Sequence, residues 1–283
     1  MRRYAASMKT LILITTFVAA NAAANPCLER LIPYSTSIAK PEYRLVLASG
    51  AGQLTYIGAR HSSDPADPQF ADIEKQWNAQ RPHIAFYEGP NRPAPKDRNE
   101  AIQQTGESGF VRWLAARDGV PLGRLEPDPK DETSYLLERF TPEQVGLFFT
   151  LREAARLRER RNMGEAEISR SIDQLLERAA GMGLGAIPFR TSADVAQAYG
   201  RYWKEPAQWW QAPSRWFDPM AKSADTGGVF TNEFNARSSA FRNINMVQRL
   251  SAAVREGKKV FAVVGRDHVS HQAEALRCAV GNN

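Results

Sequence analysis

Two hydrophobic rhythms divide this chain. Residues 260–264 are five consecutive apolar positions, three of them Val, bounded by Lys259 and Gly265. An unbroken apolar run of that length predicts a strand buried on both faces, as in a parallel sheet. The run ends at Gly265, and a short turn is expected to present Asp267 and His268. Residues 54–58 repeat the form, ending at Gly58 and leading through Ala59 and Arg60 to His61. An earlier run at 43–47 and the small residues 49–52 make a hairpin with it. Residues 83–87 and 122–125 predict two further strands, ending in Glu88 and Glu126.

Between the strands the spacing turns helical. Asp67 followed by Pro68 marks a helix start, and Phe70, Ile73 and Trp77 mark its inner face. Helical segments are expected at about 97–104 and 110–118. From about 131 to 255 helical spacing prevails, with a capping box from Thr141 to Gln144 and an amphipathic stretch at Ile168, Ile172, Leu175 and Leu176. The arginine-rich run at 152–161 reads as a solvated helix face, with an anion site as the alternative, and the glycines at 181–185, which follow a helix, as a C-cap and not a phosphate loop. Trp203, Trp209, Trp210 and Trp216 crowd into 199–217. They either wall a ligand or pack irregular helices together, and uneven spacing favours packing. The pattern as a whole predicts an α/β fold: a mostly parallel central sheet flanked by helices, formed by 43–126 and 230–276, with a helical, Trp-rich insertion at about 131–229.

The first 24 residues depart from this pattern. A basic start (Arg2, Arg3, Lys9), a short apolar core at 11–20 and Ala22 to Ala24 as a cleavage site read as a secretory signal peptide. An uncleaved anchor is the alternative, but the core is short for a bilayer span, which takes about 20 residues. Cleavage implies a soluble periplasmic or secreted protein over 25–283, without a stable transmembrane segment. It also changes the charge. The chain has 37 Lys and Arg against 31 Asp and Glu, a formal +6, and three of those cations lie in the leader. The near-balance that remains removes most support for nucleic acid as a partner. Cys27 and Cys278 are the only cysteines. In an oxidising compartment they are expected to form a disulfide, two buried thiols being the alternative.

Chemistry-bearing residues gather at the predicted carboxyl ends of the strands, where α/β proteins bind ligands. They are His61, Glu88 with Arg92, Glu126, Asp267, His268 and His271, joined by Arg242 and Asn243 from a helix. His83 lies at the opposite end of its strand and reads as structural. His61, Glu88 and His268, with His271 as a further candidate, would suit a divalent metal with a position open to water. Without metal, a His or carboxylate would take a proton from water while Arg242 stabilises developing negative charge. Glu126 would be a second carboxylate, and Asn243 would orient substrate. Arg92, Arg60, Arg266 and Asp267 are candidates for contacting a peptide or small-molecule ligand, the arginines favouring an anionic one. The chain has no G-x-S-x-G elbow, H-E-x-x-H or P-loop motif.

The two Gly-x-x-His motifs at Gly58 to His61 and Gly265 to His268, Glu88 with Arg92, Glu126, and residues 241–246 resemble the TraB/GumN family. That family is grouped with the TIKI metalloproteases, the erythromycin esterases and the haem-binding ChaN proteins. The resemblance covers about 43–126 and 230–276. It implies an EreA/ChaN-like α/β core and, in TIKI-like members, metal-dependent peptide hydrolysis. Arg60, Arg266 and Asp267 stand where members usually carry small residues, and His271 where a Gly is common. The resemblance also admits a non-enzymatic binder of haem, metal or a small signalling molecule, with Tyr56, Tyr87 or a His as axial ligand.

Overall fold

The computed structural model describes residues 25–89, 93, 95–181 and 187–281; the expected signal peptide, Arg92 and the glycines at 182–185 lie outside them. Five strands form one sheet: β1 (Arg44–Ser49), β2 (Gly52–Ala59), β3 (Ile84–Tyr87), β4 (Leu122–Arg124) and β5 (Lys259–Gly265). Their order is β1-β2-β5-β3-β4. Only β1 runs antiparallel, as the first arm of the hairpin with β2. The last strand in sequence is thus central in space, between β2 and β3. β3 is parallel to β2, as the strand–helix–strand spacing predicts, with β5 between them.

Alternation along β5 builds two cores from one strand. Val260, Ala262 and Val264 face one layer, Phe261 and Val263 the other, and all five are fully buried. On the first face lie α7 (Thr231–Arg255) and α8 (Arg266–Gly281), through Met246, Val247, Leu250, Val269 and Leu276. On the second lie α1 (Pro68–Gln80) and α2 (Arg98–Asp118), through Phe70, Ile73, Trp77, Phe110 and Leu114. Asp67 caps α1 with Pro68 at the first turn, as expected. The two helical segments expected at about 97–104 and 110–118 are both present, joined within α2 across non-helical backbone at Thr105 and Gly106.

The helical stretch holds a third core of its own. It contains α3 (Pro129–Leu137), α4 (Pro142–Arg161), α5 (Glu165–Gly181), α6 (Ser192–Tyr202) and three short 3-10 turns. Trp203, Trp209 and Trp216 are buried in it with Phe148, Tyr199 and Phe234, and the rings of Phe148 and Phe234 stack at 3.9 Å. The tryptophans are therefore packing residues. Helix α7 belongs to both parts: Phe234, near its start, enters the third core, and Met246 to Val254 enter the sheet core. Arg242 and Asn243 lie at the crossing.

The N-terminal segment closes over α8. Cys27 and Cys278 are joined in a disulfide with Cα atoms 5.4 Å apart. Among the described residues, no helix is long and apolar enough to cross a membrane.

Candidate functional site

Parallel pairing decides where the reactive side chains arrive. Ala59 pairs with Gly265, and Tyr87 with both Val263 and Arg124. The next residues along β2, β3 and β4 therefore leave the sheet at one edge, delivering His61, Glu88 and Glu126 together. The expected turn before His268 is absent. Helix α8 begins at Arg266, directly after β5, so Asp267 and His268 lie in its first turn.

Arg242 ties the edge together. Its Nε and Nη2 donate to Glu126 Oε2 and Oε1 at 2.9 and 2.6 Å, and Nη2 also donates to Glu88 Oε1 at 2.8 Å. Burial works against its charge, yet Glu126 and Glu88 outweigh that and raise its pKa further. Burial likewise opposes charge on Glu88, but the positive charge and hydrogen bond of His268, Arg242 and the Gly265 N–H hold its carboxyl well below the ordinary range. The Gly265 amide donates to Glu88 Oε2 at 2.7 Å. Both Glu88 oxygens are thus engaged.

Behind Glu88 lies a buried polar chain. His268 Nε2 is 3.4 Å from Glu88 Oε1, while its Nδ1 is 2.7 Å from the Tyr34 hydroxyl and 2.9 Å from Asn243 Oδ1. Burial raises the Tyr34 pKa, so the hydroxyl stays protonated. Gln272 Nε2 donates to Asn243 Oδ1 at 2.8 Å, and Tyr56 donates to Gln272 Oε1 at 2.9 Å. Asn243 is 3 % exposed and holds His268, so it does not reach a substrate as expected.

His61 is the exposed member, with 70 % of its side chain open. Its Nδ1 is 2.7 Å from Oε1 of Glu107, a nearly buried carboxylate. That hydrogen bond raises the His61 pKa above 6.5; burial, opposing it, is the smaller effect. Glu107 reaches His61 because α2 kinks at Gly106, whose φ of +58° favours glycine, and a Cβ there would stand 2.9 Å from the Ser62 carbonyl oxygen. The other ring nitrogen faces the sheet edge. A Cβ on Gly265 would lie 3.4 Å from both His61 Nε2 and Glu88 Oε2, so the glycine leaves the space between them open. Gly58 has a different reason: a Cβ there would be 2.6 Å from the Arg266 Cα.

These groups open into a cleft of about 800 Å³ between the sheet edge and the helical stretch. His61, Glu88, Glu126 and Arg242 line it, and α4 lines it from the other side with Arg152, Arg156 and Arg160. Of the aromatic rings in the helical stretch, Phe217 alone among the described residues lines it. The spacing of four along α4 was visible in the sequence; Arg152 and Arg160 are exposed, as a solvated face requires, and the same face lines the cleft. Glu107 and Tyr34 carried no such signal.

Several candidates lie elsewhere. His271 is 2 % exposed, with Nδ1 at 2.9 Å from the Ile32 carbonyl oxygen and its ring against Tyr34; it anchors the N-terminal segment. Burial lowers its pKa. Arg60 pairs with Asp67, and Arg266 lies over Tyr43 and beside Asp267; none of Arg60, Arg266 and Asp267 lines the cleft. His83 accepts from the Lys259 N–H at 3.2 Å, in keeping with a structural role.

The donor set does not fit the expected metal. Among the described residues, no three His, Cys, Asp or Glu side chains are spaced to hold one ion. His268 and Arg242 both lie on Glu88 Oε1, whereas the gap beside His61 is bordered by Glu88 Oε2, so that gap offers only one histidine and one carboxylate. Of the axial ligands expected for haem, Tyr56 and Tyr87 are buried in the two sheet cores and line no part of the cleft, while His61 lines it. No protein-family model, curated protein or solved structure matches the chain.

Proposed function

We propose that this protein is a hydrolase whose chemistry runs through His61 and Arg242. One observation carries the reading: His61 is locked at Nδ1 by Glu107 and offers Nε2 to the gap beside Gly265 and Glu88, at the mouth of a charged cleft. A histidine oriented by a carboxylate on one nitrogen and open on the other is equipped to take a proton from water. Glu88 Oε2 borders the same gap and helps position that water. Attack on a carbonyl then builds negative charge on its oxygen. Arg242 spends Nε and Nη2 on the two glutamates, leaving the Nη1 hydrogens for that oxygen. Glu126 and the Tyr34–His268–Glu88 chain are positioning groups that fix Arg242 and Glu88.

The resemblance to TraB/GumN proteins supports hydrolysis of a peptide or other small carbonyl substrate by an EreA/ChaN-like core, with the Trp-rich stretch as an insertion in it. The signal-peptide pattern of the first 24 residues and the disulfide support a periplasmic or secreted location. A divalent ion, implied by the TIKI-like relatives, is not needed for the steps above. The test is hydrolysis of a panel of nitrophenyl esters and short peptides, with and without chelator. His61→Ala should lower kcat/KM by about 10²–10⁴-fold, the usual worth of a general base. The proposal fails if the unaltered protein cleaves nothing in the panel, or if His61→Ala costs nothing.

A further inference from the structure

Positions four apart share a helix face, so Arg152, Arg156 and Arg160 of α4 present three guanidinium groups to the cleft, and Arg215, in the 3-10 turn Ser214–Phe217, also lines it. Most carboxylates in the lining are engaged, and the exposed Asp218 accepts from the Met220 N–H at 2.8 Å. Glu88 and Glu126 are held by Arg242, and Glu153 by Arg156 at 2.6 Å. Glu159 is held by Arg158 at 2.8 Å, and Glu132 by the Ser238 hydroxyl at 2.6 Å. Arg152, Arg160 and Arg215 form no ion pair with any described residue. Arg152 is nevertheless held in place, its guanidinium over Phe149 at 5.0 Å and over Phe148 at 5.7 Å.

These charges act on the reacting groups. The charge of Arg160 opposes protonation of His61. Crowding by protein and the positive charge of Arg242 hold the Arg152 pKa below its ordinary value. Six arginines and six carboxylates line the cleft, and the arginines without an ion pair are the charges an entering oxyanion meets. Guanidinium groups also match the planar or tetrahedral oxygens of carboxylate and phosphate.

We propose that the cleft binds a substrate bearing a phosphate or carboxylate group, gripped by Arg152, Arg160 and Arg215 beside the centre formed by His61 and Arg242. The word substrate rests on the hydrolase reading; anion binding does not. Isothermal titration with inorganic phosphate and with tricarballylate, and with glucose as neutral control, tests the site on the whole chain. At least one anion should bind while glucose does not, and whichever binds more tightly names the source of the oxyanion. Arg152→Gln with Arg160→Gln should weaken binding at least about tenfold, as expected for lost charge-assisted contacts. The pair Arg152→Lys and Arg160→Lys should retain most of it.

Should the Gln variant fold poorly, the unaltered protein still decides the matter. Raising ionic strength must weaken the binding, because charges open to solvent are screened. Failure of both anions to bind, binding indifferent to salt, or equal binding by a folded Gln variant overturns the proposal. Binding is also measured on His61→Ala, where it should persist. Anion binding without hydrolysis of any panel member defeats the hydrolase reading and leaves this site standing. Hydrolysis without anion binding does the reverse.

Discussion

Replacing Arg242 by Met is the sharpest probe of how this edge is held together. Met keeps much of the aliphatic stem and removes the fork that bonds Glu88 and Glu126 through three contacts of 2.6–2.9 Å. The three side chains are only 19–22 % exposed. Breaking a fully buried pair costs about 3–5 kcal/mol, and an exposed one about 0–1. A pair one-fifth exposed lies nearer the first, so we expect a loss of about 2–4 kcal/mol. For a chain of this size that is a fall in Tm of roughly 5–12 °C.

The loss comes from two carboxylates left facing each other, so it must depend on pH. The folded pKa of Glu88 is depressed, so its contribution is present above the unfolded value near 4.5 and disappears as pH falls through the folded value. Unaltered protein and variant should therefore converge in acid. Adding Glu126→Gln to the variant relieves the repulsion and should return about 1–2 kcal/mol at neutral pH. Thermal unfolding followed by circular dichroism, from neutral pH down as far into acid as the unaltered protein stays folded, measures all three. A neutral-pH difference under about 1 kcal/mol, or a gap that stays constant into acid, would refute the reasoning.

The two motif glycines should separate stability from activity. Gly58→Ala drives a Cβ into the Arg266 backbone and should destabilise by at least about 1–3 kcal/mol in denaturant unfolding. Gly265→Ala meets ordinary contact distances and should fold normally, but it fills the gap at His61 Nε2 and should cut hydrolysis at least about tenfold; equal behaviour of the pair would contradict the assignment. Glu107→Gln weakens the bond that raises the His61 pKa, so the midpoint of kcat/KM against pH, which rises as the base loses its proton, should move down toward 6.5; an unmoved midpoint assigns the base elsewhere. Cys27→Ser with Cys278→Ser opens a link between residues 251 apart and should cost about 2–5 kcal/mol in thermal or denaturant unfolding; no loss would place the stability of the N-terminal segment in its packing on α8 alone.

What could be read from the chain, and what could not, follows from the range of the interactions. The strand ends, the hairpin, the α1 cap and the cysteine pairing depend on local pattern or on a lone possible partner, and the structure agrees with each. Order within the sheet does not: nothing between 54 and 264 says that β5 inserts between β2 and β3. Glu107 was hidden for a similar reason. Its role depends on Gly106 kinking a helix against the loop after His61, a meeting of segments 46 residues apart. Tyr34 is further still, 234 residues from the His268 it supports.

The arginines of α4 show a different kind of limit: Arg152 and Arg160 are exposed as expected, but the pattern did not say that they also line a cleft. Their period of four marked one helix face, and a charged face defaults to solvent when nothing is known to oppose it. What opposes it is α7, long enough to serve two hydrophobic cores, with Arg242 where it passes from one to the other. Burying both ends of α7 leaves a gap between the cores, and α4 forms the far wall of that gap. The cleft is therefore a consequence of apolar packing, and its chemistry is set by which charged residues the two walls happen to share. That is why residues near the sheet, such as Arg60 and Arg266, fall outside it, while arginines some ninety residues along the chain from His61 fall inside.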